Sequence, residues 1–297
     1  MALNGLNETG VIWSAECRRT VRSARVVALL ALYSSFSLLV LLIVGGVTKA
    51  LREQLDTQIA QTGADAGAAT QVADEFRKSF LGFLLGGDQA MIEALTQVPL
   101  VVLLVFKVTL FFLPIYVALM GFDQVSGEVG PRSIRYLTVR ARRSSLLLGK
   151  FLSQATVLLG MVLVIDLAIF VYAWVITPDF AFGAFALNLL KFWLAAVVFS
   201  LAYLALTTFC SSLAHTPALS LILNLLLLFG FWVVNLVGSL ATDGSPVSYV
   251  RYLTPSYYAN NLLHPRFAEF AVSGMAYFTF ALLFLGGAFF ALRTRDL

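Results

Sequence analysis

The chain has 297 residues, of which 60% are hydrophobic and 12% are charged. Ordinary globular domains are about half apolar and about a quarter charged, so this composition excludes a soluble domain and indicates an integral membrane protein. The net charge of +4 fits basic cytoplasmic loops better than a nucleic-acid surface, and we expect no nucleic-acid partner. The cysteines, Cys17 and Cys210, predict no disulfide framework.

Long apolar runs divide the chain into spans. A helix needs about 20 residues to cross a hydrocarbon core about 30 Å thick, and in lipid its backbone groups must be paired within the segment. We therefore predict an all-α integral membrane protein with six transmembrane helices. The predicted spans are Val26–Thr48, Val98–Phe122, Phe151–Thr177, Ala186–Cys210, Pro217–Ala241 and Phe270–Leu292.

The distribution of Lys and Arg predicts the orientation, because basic connections are retained in the cytoplasm. With the N-terminus inside, the inner segments hold 12 of these residues and the outer segments hold 6. Both termini are therefore predicted to be cytoplasmic (N-in/C-in). The predicted organisation is a cytoplasmic-face helix at 1–25 and a six-span domain at 26–297. Its long connections are extracytoplasmic at 49–97, cytoplasmic at 123–150, and extracytoplasmic at 242–269, where aromatic and turn residues favour an interfacial or partly dipping segment.

The segment before the first span has an amphipathic pattern. Trp13, Cys17, Val21 and Ala24 recur at helical spacing, and the arginines occupy the other side. The pattern predicts an amphipathic interfacial helix on the inner leaflet. The helix either only anchors the chain or also frames a docking site for a partner. Its candidate residues are Trp13, Glu16, Arg18 and Arg22.

Three ionisable residues fall inside the predicted spans: Lys107, Asp166 and Lys191. Such groups are costly in lipid and usually face a partner or a cavity. At about 1.5 Å per residue, Lys107 lies about 13 Å from the outer surface and Asp166 about 8 Å from it. The two are expected to form an ion pair, to line a substrate path or to extend toward the membrane surface. The last of these is the leading interpretation for Lys191.

The chain has no phosphate-binding loop. Gly149-Lys150 is followed by Phe151, and Ser144 stands where the pattern needs its first glycine. We therefore expect no nucleotide site, no catalytic residue and no cofactor in this chain, so that any ATPase is a separate polypeptide. Cys210 and His215 supply two possible metal ligands without a third, so no metal site is predicted.

Four segments carry a family resemblance. The cytoplasmic connection holds Glu128 in a short turn, an apolar pair, arginines and a downstream Gly149-Lys150. Three further segments complete the set: the N-terminal segment 12–23, the basic tail 290–297, and the outer segment Arg251-Tyr252-Leu253-Thr254-Pro255-Ser256-Tyr257-Tyr258. Together they resemble the permeases of type-2 ABC exporters, the ABC-2 family, over essentially the whole chain.

The resemblance implies a membrane-spanning permease subunit of an ATP-driven exporter in the cytoplasmic (inner) membrane. ATP and magnesium would bind to a partner ATPase, and a second permease copy or a paralogue would complete a homodimer or heterodimer. Membrane lipids are also expected partners. The implied ATPase-docking residues are Glu128, Arg132, Ile134, Arg135, Tyr136, Leu137, Arg140 and Arg143.

Other interpretations remain open from the sequence. The arginines of the cytoplasmic connection could only fix the topology and bind anionic lipid. The whole chain could be a solitary secondary transporter or channel, although Pro114 has no counterpart in the fifth span and Asp166 is the only acid within the spans. It could also be a membrane-anchored scaffold of an envelope complex, which would not require an acid within a basic loop.

Overall fold

The computed structural model describes residues 5–62, 75, 77–82, 87–96, 100–129, 141–176, 182–241 and 244–294. Every element named here is helical, and two 3₁₀ helices, Pro246–Leu253 and Pro255–Leu263, lie between α8 and α9. The α-helices are α1 (Gly5–Val21), α2 (Ala24–Thr62), α3 (Gln89–Leu95), α4 (Leu100–Gly121), α5 (Ser126–Val129), α6 (Arg143–Ile176), α7 (Phe182–Leu213), α8 (Pro217–Leu240) and α9 (Phe267–Thr294).

The predicted all-α membrane fold is confirmed. In the part of the chain that the structure describes, α4, α6, α7, α8 and α9 each contain a segment long and apolar enough to cross a membrane. A further span comes from α1 and α2, which are joined at a bend of 64°. The fold therefore has five to six candidate spans.

Several helices extend beyond the apolar runs that predicted them. α2 continues to Thr62, past the predicted end at Thr48, and α6 begins at Arg143 rather than Phe151. Gly149 and Lys150 therefore lie about two turns inside α6. Hydropathy marks the part of a helix that matches lipid, whereas polar helix-forming residues continue the same helix outside it.

α7 is the central helix of the bundle. It contacts α4, α6, α8, α9 and the second 3₁₀ helix. Small residues allow neighbouring helices to approach closely, and van der Waals packing drives helix association in lipid. The buried small residues of α7 include Ala195, Ala196, Ser200, Ala202 and Ala205.

α2 packs on the bundle through one narrow stripe. Its buried residues Val26, Leu29, Tyr33, Ser37 and Val40 recur every three or four positions, which places them on one helix face. The Tyr33 hydroxyl lies 2.7 Å from Thr109 Oγ1 on α4. α4 is thus the surface on which α2 rests.

The two 3₁₀ helices between α8 and α9 pack among the spanning helices. Tyr277 donates to the carbonyl of Pro255 at 2.7 Å, and the Tyr203 hydroxyl lies 3.5 Å from Ser256 Oγ. Tyr203 is about 15 Å from the nearer end of α7, so the segment reaches well inside the helix bundle. Irregular backbone at this depth is tolerated where protein covers it, and Pro255, Leu262 and Leu263 of the second 3₁₀ helix are buried.

α1 lies alongside the first half of α6 and runs in the same direction. Ser145 donates to the carbonyl of Gly5 at 3.3 Å, and Trp13 Nε1 donates to Thr156 Oγ1 at 3.0 Å. The closest approach is at Gly149, where an added Cβ would lie 2.7 Å from Ile12 Cγ2. α6 therefore covers the side of the N-terminal helix that carries Ile12, whereas Val11 and Val21 are 61% and 56% exposed.

We predict that Gly149→Ala weakens this contact. The added methyl group would also lie 3.2 Å from the backbone carbonyl of Thr9, and such overpacking costs about 1–3 kcal/mol. The melting temperature of the purified protein, followed by intrinsic fluorescence in detergent, should fall by several degrees.

Gly160→Ala is the matched control, because nothing lies within 4 Å of a Cβ at Gly160 on the same helix. In a helix interior, alanine is more favourable than glycine by about 0.5–1 kcal/mol, so this variant should be unchanged or slightly more stable. Equal melting temperatures for the two variants would contradict the close approach of α1.

Candidate functional site: a charged junction at one end of the bundle

Charged side chains from four parts of the chain meet at one end of the bundle. α1, the start of α2, the turn between α4 and α5, and the first turns of α6 surround a cavity of about 400 Å³. We refer to the cluster as the charged junction. Its ionisable residues are Glu16, Arg19, Arg25, Asp123, Glu128 and Lys150.

Lys150 lies at the centre of the charged junction. Its Nζ donates to Glu16 Oε1 and to Glu128 Oε1, both at 2.7 Å. Only 4% of the Lys150 side chain is exposed, against 21% for Glu16 and 13% for Glu128. A buried ammonium group is costly unless it is paired and hydrogen-bonded, and α1 and α5 each supply one carboxylate to it.

Arg19 supplies the second positive charge. Its Nη1 lies 3.9 Å from Glu16 Oε1 and 3.8 Å from Glu128 Oε1, and its side chain is 74% exposed. Two carboxylates are thus balanced by two cations, one buried and one at the surface. The exposed pair is screened by solvent and contributes little, so Lys150 is the member that joins α1, α5 and α6.

A second ion pair joins α2 to the end of α4. Arg25 Nη1 lies 2.6 Å from Asp123 Oδ1, and the guanidinium lies over the Phe122 ring at 4.9 Å from its centroid. The hydrogen bond to Asp123 raises the pKa of Arg25, and partial burial opposes this increase. The pair fixes the start of α2 against the turn that leads to Glu128.

That turn is also held to α7. Ser211 Oγ accepts from the backbone N–H groups of Val125 and Ser126 at 3.0 and 3.1 Å, and it donates to the carbonyl of Phe122 at 2.9 Å. One hydroxyl therefore pairs with a carbonyl after the end of α4 and with two N–H groups at the start of α5, where helix termini leave such groups without partners within the helix. The position of α5, and with it Glu128, is set by the central helix.

Arg143 binds the C-terminal end of α9. Its Nη1 donates to the carbonyls of Leu292 and Arg293 at 2.6 and 3.0 Å. The last carbonyls of a helix lack partners within the helix and attract cations. The start of α6 and the end of the last helix are thereby joined at the same end of the bundle.

The structure brings together part of the predicted docking set. Glu128 lies inside the charged junction and Arg143 lies on the end of α9. Trp13 and Glu16 of the N-terminal helix contact α6, whereas Arg18 and Arg22 are exposed. The other predicted docking residues lie outside the described residues: Arg132, Ile134, Arg135, Tyr136, Leu137 and Arg140.

The structure does not bring Lys107 and Asp166 together. Lys107 Nζ donates to Asn260 Oδ1 in the second 3₁₀ helix at 2.6 Å, and no ion pair joins Lys107 to Asp166 in the part of the chain that the structure describes. Depth along two helices does not give their rotation, and the partly dipping segment predicted at 242–269 did not identify Asn260 as the partner of Lys107. Lys191 is exposed.

Sequence reasoning also missed the central role of Lys150 and the partner of Asp123. The available signal was the Gly149-Lys150 pair, in which a glycine permits close approach and the next residue is a long cation. Among the described residues, no group of three His, Cys, Asp or Glu side chains could hold a metal ion.

Comparison with known families agrees with this architecture. A family described as "ABC-2 family transporter protein" matches residues 11–292, which is nearly the whole chain. The chain therefore belongs to the ABC-2 family of transporter proteins, and it is a multi-pass membrane permease of an ABC transporter, a transport component that is not itself catalytic. A search of curated proteins found no match.

We predict that Lys150→Met destabilises the protein strongly. Removing the cation leaves Glu16 and Glu128 close together at one end of α6, and breaking a buried pair costs about 3–5 kcal/mol. The melting temperature in detergent should fall by about 5 °C or more, since 1 kcal/mol corresponds to about 2–4 °C at this size. Lys150→Met combined with Glu16→Gln and Glu128→Gln should recover part of the loss.

Lys49→Met is the control for the same chemical change. Lys49 pairs with Glu53 at 3.9 Å, with side chains 80% and 68% exposed, and such surface pairs contribute less than about 1 kcal/mol. If Lys150→Met melts at the temperature of Lys49→Met, the charged junction does not stabilise the fold.

Proposed function

We propose that this chain is the permease subunit of an ATP-driven exporter and that a separate ATPase docks at the end of the bundle that carries the charged junction. One observation supports this most directly. The N-terminal helix, the turn with Glu128, Gly149-Lys150 and the end of α9 are distant in sequence, yet Lys150 and Arg143 join them at one end of the fold.

The proposed docking segment is residues 130–140, between α5 and α6. It is flanked by two residues that are already fixed, Glu128 on Lys150 and Arg143 on the end of α9. A displacement of this segment by a partner would therefore be passed to α4, α6 and α9 rather than absorbed at its ends. The exposed Arg18 on α1 and the exposed Arg22 just after α1 would frame the same surface.

The proposed orientation places the charged junction and both termini in the cytoplasm, within the inner membrane of a bacterial cell. The excess of Lys and Arg on this side of the spans supports it. A second copy or a paralogue would complete the transporter, because the resemblance implies that six spans form half of such a transporter. Export rather than import follows from the same resemblance.

We predict that Arg135→Glu combined with Tyr136→Ala prevents retention of the ATPase. Charge reversal on a docking surface costs affinity through both lost and repulsive contacts. The tagged permease would be purified in detergent with its candidate ATPase, and the retained ATPase should fall about tenfold or more. Size-exclusion profile and melting temperature should stay at the wild-type values.

Lys78→Glu is the matched charge reversal on the proposed outer side, at an exposed residue, and it should retain the ATPase fully. Failure of the wild-type chain to hold any ATPase would overturn the docking proposal. Equal loss for both charge reversals would show that the permease responds to net charge rather than to this surface.

The topology gives a separate prediction. In a background with Cys17→Ser and Cys210→Ala, a cysteine introduced at Ser245 should react with a membrane-impermeant maleimide in intact cells. A cysteine introduced at Thr294 should react only after the membrane is opened. The reverse pattern would contradict the proposed orientation.

A further inference from the structure

A second cavity lies between α4, α7, α8 and the second 3₁₀ helix, away from the charged junction. Its volume is about 510 Å³, within the range of cavities that hold small ligands. We refer to it as the lysine cavity. Its polar residues are Lys107, Tyr203, Ser256 and Asn260.

The walls of the lysine cavity are apolar and aromatic. α4 contributes Phe111 and Pro114, and α8 contributes Leu225, Phe229 and Trp232. Phe229 and Trp232 are 61% and 51% exposed, so the cavity opens at the surface of the bundle, along a helix face that is otherwise in contact with lipid. A molecule dissolved in the membrane can therefore enter it from the side.

No carboxylate among the residues that the structure describes pairs with Lys107. Its only polar partner among the described residues is Asn260 Oδ1 at 2.6 Å, an amide oxygen without net charge. An ammonium group has three N–H donors, so two remain for another acceptor. Lys150 shows the contrast, because this fold gives it two carboxylates.

We infer that the lysine cavity binds an amphipathic molecule with an anionic head group, held at Lys107 and Asn260, and with its hydrocarbon chain along Phe111, Phe229 and Trp232. An anion in a low-dielectric site offsets the cost of the unpaired cation. Charge-assisted hydrogen bonds are about twice as strong as neutral ones, which favours the anion over an uncharged analogue.

The ligand lies at about the depth at which Tyr203 and Ser256 meet, so the second 3₁₀ helix touches it directly through Asn260. That this amphiphile is the exported substrate rests on the proposed function. Its binding does not, because the cavity is formed within one chain and can be measured without an ATPase.

The test uses fluorescence quenching of Trp232 in the full-length protein in phosphatidylcholine nanodiscs. The other tryptophans, Trp13, Trp174 and Trp193, are replaced by phenylalanine. The probes are dibrominated stearic acid, which is anionic, and its uncharged methyl ester. We expect saturable quenching by the acid at concentrations at least about tenfold lower than by the ester, as one charge-assisted hydrogen bond allows.

Lys107→Met should raise the concentration of acid that gives half-maximal quenching by about tenfold and leave that of the ester unchanged. Lys107→Arg should retain most of the preference for the acid over the ester. Lys191→Met, the same change at an exposed lysine of another helix, should have no effect. If Lys107→Met fails to fold, the wild type and Lys107→Arg still decide the result through the ratio of the acid and ester concentrations that give half-maximal quenching.

Equal, unsaturable quenching by acid and ester in the wild type would overturn the inference, since it would show only partitioning into surrounding lipid. Absence of quenching in a stable dimer would also overturn it, because a second copy would then cover the cavity. Neither result would affect ATPase retention, so a failure of this inference is distinguishable from a failure of the proposed function.

Discussion

Lys150 carries a positive charge into a position where 4% of its side chain is exposed, and the fold around it follows from the need to balance that charge. Glu16 comes from α1 and Glu128 from α5, so both elements must reach the same point on α6. Gly149 permits this, because any side chain there would meet Ile12. The two residues act together, because Gly149 allows α1 to approach α6 closely and Lys150 holds it there through the ion pair with Glu16.

The remaining contacts at this end of the bundle protect the position of Glu128. Ser211 holds the turn before α5 to the central helix, Arg25 holds Asp123 within that turn, and Arg143 ties the start of α6 to the last helix. Each of these contacts joins segments far apart in sequence. Polar contacts therefore connect the helices at the end that is proposed to bind an ATPase. Elsewhere the helices associate chiefly by close packing of small and apolar residues.

The spans were predictable because lipid imposes a length and a composition on every crossing helix. Their ends were not, since Arg143 to Lys150 is too polar to resemble a span yet continues α6. Glu128 could be singled out because it is an acid within a basic loop. Its pairing with Lys150 could be recognised only once the position of α1 in three dimensions was known. The predicted ion pair between Lys107 and Asp166 is not formed in the described part of the chain, for a related reason. The rise per residue gives the depth of a side chain along a span, whereas its neighbours depend on helix rotation and on the path of the 3₁₀ segment.

Lys150, which is buried, and Lys107, which is partly buried, show how one chain can use the same side chain in opposite ways. A lysine with two carboxylates is electrostatically complete and resists movement of the elements that it joins. Among the described residues, Lys107 has only the amide oxygen of Asn260 as a polar partner, which leaves two N–H donors for the ligand inferred above. Lys150 and Lys107 both lie on helices that contact α7, so the rigid charged junction and the incomplete lysine cavity are connected through one central helix. Under the proposed function, a displacement passed on from residues 130–140 would reach α4, which carries Lys107, and α9, which contacts the 3₁₀ helix that carries Asn260, so both partners of the proposed ligand lie on elements linked to the docking segment.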